Sequence, residues 1–566
     1  MVNPNIAGQE STPRSPPELV VVTRKEAAVR ATPEGVASAS GAPISDLQDL
    51  LASQGAHMEP MFGGERPAGA AAAGAPQTEA GSEIEAEMAH YFHVVAPEES
   101  LESMAEQLRR LETVEAAYVK PPAEPARAAL EAVRTLNEIE PVVAAPPSTT
   151  PNFTARQDHL DPAPVGIDAA YAWGLPGGRG QGIRIIDCEW GWRFTHEDLI
   201  QNSLGLVAGT NHTSTNHGTA VMGEIGGDQN SFGVTGIAAA ALLGASSFTS
   251  QTTPTAIKNA ADALSAGDII LLEIHRGGPN ATGQGQKGYI AIEWWPDDFL
   301  AIRYAVNKGV VVVEAAGNGW ENLDAAVYDT PGTGFPSWWK NPFHAGNPSS
   351  GAVIVGAGSP PSGTHGRTTS PWNLPYVDRA RCGFSNWGSR VDAQGWGWEV
   401  TSTGYGDLQG GADPDRWYTD TFSGTSSASP IVTGALGCTQ GVLKAKGMPL
   451  MTSQRARQLL RSTGSPQQPA PNRPVSQRIG NRPDLRHLIP AALKQWISNT
   501  VIRYTYALYT SQAAWAFVDG MGWRRVHPGS ADGVSNVFRV CTEAQAAGTK
   551  VNVYIDETYL YNIIAL

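Results

Sequence analysis

Four residues far apart in the chain could together cleave an acyl bond. Ser426 stands in FSGTSSASP, beside Ser423, Ser427 and Ser429. His217 opens NHGTAVMGEIGG, Asp187 ends the apolar run of GIRIID, and Asn318 follows VVVEAAG. Attack on a peptide carbonyl needs a hydroxyl nucleophile and an imidazole to take its proton. It also needs a carboxylate to orient the imidazole and donors for the developing oxyanion. A serine at a helix start has unpaired backbone N–H groups and the positive dipole end beside it. Its amide can then join the Asn318 side chain as an oxyanion donor. Pro430 is expected in the first turn of that helix, where a missing N–H is tolerated.

Elements at the right places must position these groups. GIRIID (182–187), DIILLEI (268–274), GVVVVEAAG (309–317) and AVIVGAG (352–358) are nearly unbroken apolar runs with helical patterns between them. Strands buried on both faces of a parallel sheet read this way. A doubly wound α/β sheet follows, with ligands at the carboxyl ends of its strands. The candidate residues lie at or just after these runs.

The motifs G-T-S-x-A-x-P (424–430), H-G-T-x-V-x-G (217–223) and A-A-G-N (315–318) resemble those of the subtilisin-like serine peptidases. GVTGIA (233–238), FSNWG (384–388) and RPDLRHLIPAAL (482–493) resemble further segments of that family, in order. The resemblance covers about 155–493. It implies that Ser426 attacks, His217 shuttles the proton, Asp187 orients the imidazole and Asn318 supplies the oxyanion donor. Ser423, Ser427 and Ser429 become supporting positions. No cofactor is implied for catalysis. Structural calcium is common in the family, and no ligand loop is identified in this chain.

The remainder divides by composition. Residues 18–122 carry the order β-α-β-β-α-β of a ferredoxin-like unit, interrupted by a Gly/Ala-rich insertion at 64–88. Ser45 and Ser100 are placed to cap its two helices. The resemblance implies that this unit is a propeptide whose last strand leads into the cleft, with processing between about 122 and 155. Residues 1–17 are expected to be disordered and 123–153 to be a linker. Residues 154–493 are the catalytic domain, and 495–566 a small α+β domain without a chemical motif. The expected architecture is thus α/β, with a mostly parallel subtilisin-like sheet between two smaller α+β units.

Bulk composition excludes other classes. The 40 basic against 54 acidic residues give a net charge of -14, which argues against a nucleic-acid partner. No apolar run approaches the roughly 18 residues of a membrane span. The four cysteines form neither a disulfide framework nor a C-x-x-C pair. No classical signal peptide is readable, which leaves cytoplasm by default or secretion by another route. The expected partners are a peptide or protein substrate and the chain's own propeptide.

Three stretches depart from the family pattern. The family has Asp, then Ser or Thr, then Gly, whereas this chain reads Asp187-Cys188-Glu189. The following THEDL (195–199) keeps Asp187 in register; Asp198 and Asp228 are the remaining candidates for its role. Glu189 reads either as a solvated loop carboxylate or as a residue near a substrate side chain that would favour a basic group. His275, Arg276 and Gly277 fall on the edge segment that pairs with substrate backbone, with polar side chains where small or apolar ones are usual. Glu314 is an unexplained carboxylate in an apolar strand. Besides hydrolysis, two functions fit the motifs: a peptide-maturation protease or macrocyclase that transfers the acyl group to an amine, and an inactive peptide-binding scaffold.

Overall fold

The computed structural model describes residues 12–32, 35–63, 79–127 and 149–566. Residues 64–78 of the insertion, 128–148 of the linker and the N-terminal residues 1–11 lie outside the described residues.

The central layer is a parallel sheet of seven strands. In spatial order they are Ala393–Trp396, Val353–Gly358, Val311–Ala315, Ile269–Leu272, Arg184–Glu189, Leu242–Ser247 and Ser203–Ala208. Every pairing in it is parallel. The strand at 184–189 comes first in sequence but lies inside the sheet, so the winding direction reverses beside it. Such a switch point opens a crevice at the carboxyl ends of the strands. Both faces are covered, which is why Val311, Val312 and Val313 are all fully buried.

The N-terminal unit is a four-stranded antiparallel sheet. Its order is His57–Pro60, Tyr91–Val95, Glu18–Thr23, Val114–Lys120, the arrangement of a ferredoxin-like fold. Side chains alternate across a strand. Leu19 and Val21 pack on this unit's own helices, Ser45–Ser53 and Leu101–Leu108. Val20, Val22 and Tyr118 share a core with Ile257, Trp294 and Leu300 of the parallel-sheet unit. The sheet is therefore sandwiched, and the unbroken apolar run Leu19–Val22 records burial on both sides.

Several expectations change here. Residues 79–88 of the supposed insertion form a helix, Glu79–Met88, because Ile84 and Met88 lie one turn apart and pack into that shared core. Ser45 lies inside its helix after Ile44, and the Ser100 hydroxyl bonds the Pro97 carbonyl, so neither side chain caps. In the N-terminal segment the Ser15 amide donates to the Ala123 carbonyl at 2.9 Å, and Arg14 pairs with Glu124 at 2.8 Å.

A buried charge cluster fixes the two units together. Lys120 Nζ, fully buried, lies 2.6 Å from Glu18, 2.5 Å from Asp297 and 3.3 Å from Asp298. The two aspartates sit in the first turn of the helix Pro296–Asn307, where the dipole favours them. Removing one partner of a buried ionic cluster leaves uncompensated charge, at a cost of about 3–5 kcal/mol. Lys120→Met is expected to lower stability by that amount and to expose residues 18–120 to proteolysis, measured by thermal unfolding and limited digestion.

Residues 495–566 form a six-stranded mixed sheet carrying the helix Ala531–Ala547, which Ser530 caps. Its final hairpin pairs Val551–Ile555 with Tyr559–Ala565. All four cysteines are free and buried. Among the described residues no helix is long and apolar enough to cross a membrane, and no group of three or more potential ligands is disposed to hold a metal ion.

Candidate active site

Ser426 is the second residue of the helix Thr425–Ala445. The preceding Gly424 has φ 115°, a conformation open to glycine. Pro430 lies further in than expected, where its missing N–H leaves the Ser426 carbonyl without its helical donor. Ser427 donates to the Trp396 carbonyl at 2.8 Å and Ser429 to Glu273 at 2.5 Å, which ties both down. Ser426 Oγ instead lies 2.9 Å from His217 Nε2. His217 projects from the start of the helix Asn216–Gly226.

The carboxylate on the other side of His217 is Glu189. Its Oε2 lies 2.8 Å from His217 Nδ1. That contact places the imidazole proton on Nδ1 and turns the Nε2 lone pair toward the serine hydroxyl. Glu189 is 1% exposed, so it is neither a solvated loop carboxylate nor a contact for a substrate side chain. Asp187, assigned this role by the motif, accepts instead from Trp192 Nε1 at 2.7 Å. The reason is the sheet edge. Asp187 pairs in register with Leu271 and Ala245, inside the sheet. Glu189 is the last residue of the strand, two residues or roughly 7 Å nearer the crevice. Asp198 and Asp228 are engaged elsewhere, accepting from the backbone amides of Val234 and Ile200.

The sequence carried a signal for this shift. Gly191 follows Glu189 by two positions, the spacing at which a glycine follows the family's aspartate. A Cβ at Gly191 would meet the carbonyls of His212 and Ser214 at 2.6 Å. Glu189-Trp190-Gly191 is therefore the matching triplet, with glutamate in the aspartate's place.

Asp187 and Glu189 share one face of the strand Arg184–Glu189, two residues apart. Asp187 Oδ1 and Glu189 Oε1 are both buried and accept from no donor, a deficit that a single proton held between the two carboxyls would meet. Burial, then the charge of Glu189, pushes the Asp187 carboxyl well above the usual range, so Asp187 holds that proton. Burial also raises Glu189, against the hydrogen bond from Asp187. Burial takes His217 down to about 3, and the charge of Arg127 adds to the fall. The imidazole is thus neutral, as a general base must be.

Facing this trio is a segment of the chain itself. Ala123–Glu124 pairs antiparallel with His275–Gly277, in the register His275 to Glu124 and Arg276 to Ala123. The segment continues until the Ala126 carbonyl accepts from Asn318 Nδ2 at 2.6 Å and from the Ser426 amide at 3.2 Å. Thr425 donates to Asn318 Oδ1 from its amide at 3.0 Å and its hydroxyl at 2.9 Å, which orients the Asn318 amide. The Arg127 guanidinium lies over the Tyr405 ring, 4.3 Å from its centroid.

The remaining sequence candidates divide. His275 faces Glu124, with its Nε2 3.9 Å from Oε1. Arg276, on the opposite strand face, bonds the Pro121 carbonyl and lies 3.2 Å from Thr253 Oγ1. Gly277 pairs with Tyr289. Glu314 accepts from the Glu293 amide at 3.1 Å and lies among the strand ends, away from this trio. Gln286, which no motif marked, reaches both Glu124 and Asn318.

Residues 206–481 match the model of the subtilase family, Peptidase_S8. The chain carries a subtilase domain. It is a serine-type endopeptidase, and the matched residues hold His217, Asn318 and Ser426 but begin downstream of Glu189. No curated protein sequence is detectably similar to this chain. Similar solved structures include a protease from Pseudoalteromonas arctica PAMC 21717, at 21% identity and TM-score 0.42 over 61% of this chain and 100% of that one. Fervidolysin from Fervidobacterium pennivorans, a keratinolytic enzyme related to subtilisin, has 16% identity and TM-score 0.46 over 88% of this chain and 64% of its own. The epidermin leader peptide processing serine protease from Staphylococcus aureus has 15% identity and TM-score 0.46 over 84% and 99%.

Proposed function

We propose that this endopeptidase is made as a self-processing zymogen that acts through Ser426, His217 and Glu189. Ser426 attacks the scissile carbonyl and His217 takes its proton. Glu189 holds the imidazole tautomer and carries the charge opposite the imidazolium. Asn318 Nδ2 and the Ser426 amide bind the oxyanion. His217 then gives its proton to the leaving amine, and water completes hydrolysis of the acyl-enzyme by the same steps in reverse order.

One observation carries this reading: the Ala126 carbonyl rests on both oxyanion donors, with Ser426 bonded to His217 beside it. Residues 18–127 are then a propeptide laid through the cleft in the direction of a substrate, and the bond presented to Ser426 is Ala126–Arg127. N-terminal sequencing of the purified protein is expected to find a new terminus at Arg127. A terminus elsewhere between 122 and 155 would refute the register, and a chain that stays intact while labelling at Ser426 would refute self-processing.

A further inference from the structure

The cleft segment places one charged side chain in a built pocket. Counting Ala126 as the first position before the bond, Glu124 is the third, and it is 3% exposed. Its Oε1 accepts from Gln286 Nε2 at 2.9 Å, and His275 Nε2 lies 3.9 Å away, buried and without a hydrogen-bond partner. Arg14, from the N-terminal segment, adds an ion pair at 2.8 Å to Oε2.

Both catalytic-domain groups are locked as donors by Asn318. The Asn318 amide N–H donates to His275 Nδ1 at 3.2 Å, so the neutral ring carries its proton on Nε2, toward Glu124 and the Pro125 carbonyl. Asn318 Nδ2 donates to Gln286 Oε1 at 3.2 Å, which turns the Gln286 NH₂ toward Glu124. The Tyr289 ring, 4.8 Å from that of His275, fixes the imidazole plane. Two buried donors with fixed orientation favour a charged acceptor, and an apolar or donor side chain leaves them only the Pro125 carbonyl, 3.4 Å from Gln286 Nε2.

We infer that Gln286 and His275 form a specificity pocket for glutamate at the third position before the cleaved bond. The substrates are then peptides of the type Ala-Glu-Pro-Ala, cut after the second alanine. The inference rests on the zymogen reading above. A substrate in trans brings no Arg14, so selection falls to the two neutral donors.

The test uses quenched peptides Ala-Glu-Pro-Ala-Arg, Ala-Leu-Pro-Ala-Arg and Ala-Lys-Pro-Ala-Arg with the full-length enzyme after its own processing. Active Ser426 is counted by fluorophosphonate titration in the same sample. Hydrogen bonds to a charged group predict a kcat/KM for Glu about 10–100-fold above Leu, and higher still above Lys. Gln286→Leu is expected to reduce the Glu:Leu ratio about tenfold or more, and Gln286→Glu to reverse the order of Glu and Lys. Full titration with equal kcat/KM for the three peptides would overturn the pocket and leave the peptidase reading intact. A ratio unchanged in both variants would overturn the role of Gln286. Absence of both labelling and cleavage would overturn the pocket together with the function on which it rests.

Discussion

Glu189→Gln is expected to lower kcat by on the order of 10⁴, the effect of an orienting carboxylate made neutral. Asp187→Asn is expected to stay within about tenfold of wild type. The two side chains lie two residues apart on one strand face, yet only Glu189 reaches His217 Nδ1, at 2.8 Å. A glutamine there loses the charge that stabilises the imidazolium, and its NH₂ can hold the ring in the wrong tautomer. An asparagine in place of Asp187 keeps both contacts of the aspartic acid: an acceptor for Trp192 Nε1 and a donor toward Glu189 Oε1. Steady-state kcat, normalised to Ser426 labelling, decides between the two; a reversed order would return the role to Asp187.

The same pair gives a pH signature in stability. The folded Asp187 carboxyl is raised, so it stays protonated where the unfolded side chain, at about 3.9, has ionised. The unfolded state then binds fewer protons, and this group's contribution to stability falls as pH rises above that value. The Asp187→Asn variant has no such proton to lose. Its Tm relative to wild type is expected to increase from acid toward neutral pH, and a difference independent of pH would contradict the shared proton.

The second large effect is Ser426→Ala, expected to lower kcat by on the order of 10⁶ and to abolish fluorophosphonate labelling. The oxyanion donors and the cleft segment survive this change, so the variant is expected to accumulate as the full chain of 566 residues. Ser427→Ala and Ser429→Ala lose bonds to Trp396 and Glu273 and leave the 2.9 Å pair of Ser426 and His217 in place. Their processing is expected to continue. Gel mass and probe labelling of the three variants separate the nucleophile from its neighbours.

Much of this molecule is determined by sequence because its signals are local. Apolar runs such as Val311–Val313 specify buried parallel strands, since only a strand covered on both faces tolerates them. Ser426, His217 and Asn318 lie in short motifs whose glycines and small residues serve the turns that present them. The choice between Asp187 and Glu189 is not local. Strand periodicity puts both on one face, and only the position of the sheet edge, set by pairing with Ile269–Leu272 and Leu242–Ser247, decides which reaches the imidazole. The cleft segment is the same kind of case. Its Pro/Ala-rich composition reads as linker, because an added strand is held by backbone bonds that carry no side-chain signature. Gln286 was silent for a related reason: a loop amide becomes a specific donor only when Asn318, far away in sequence, fixes which end of it faces Glu124.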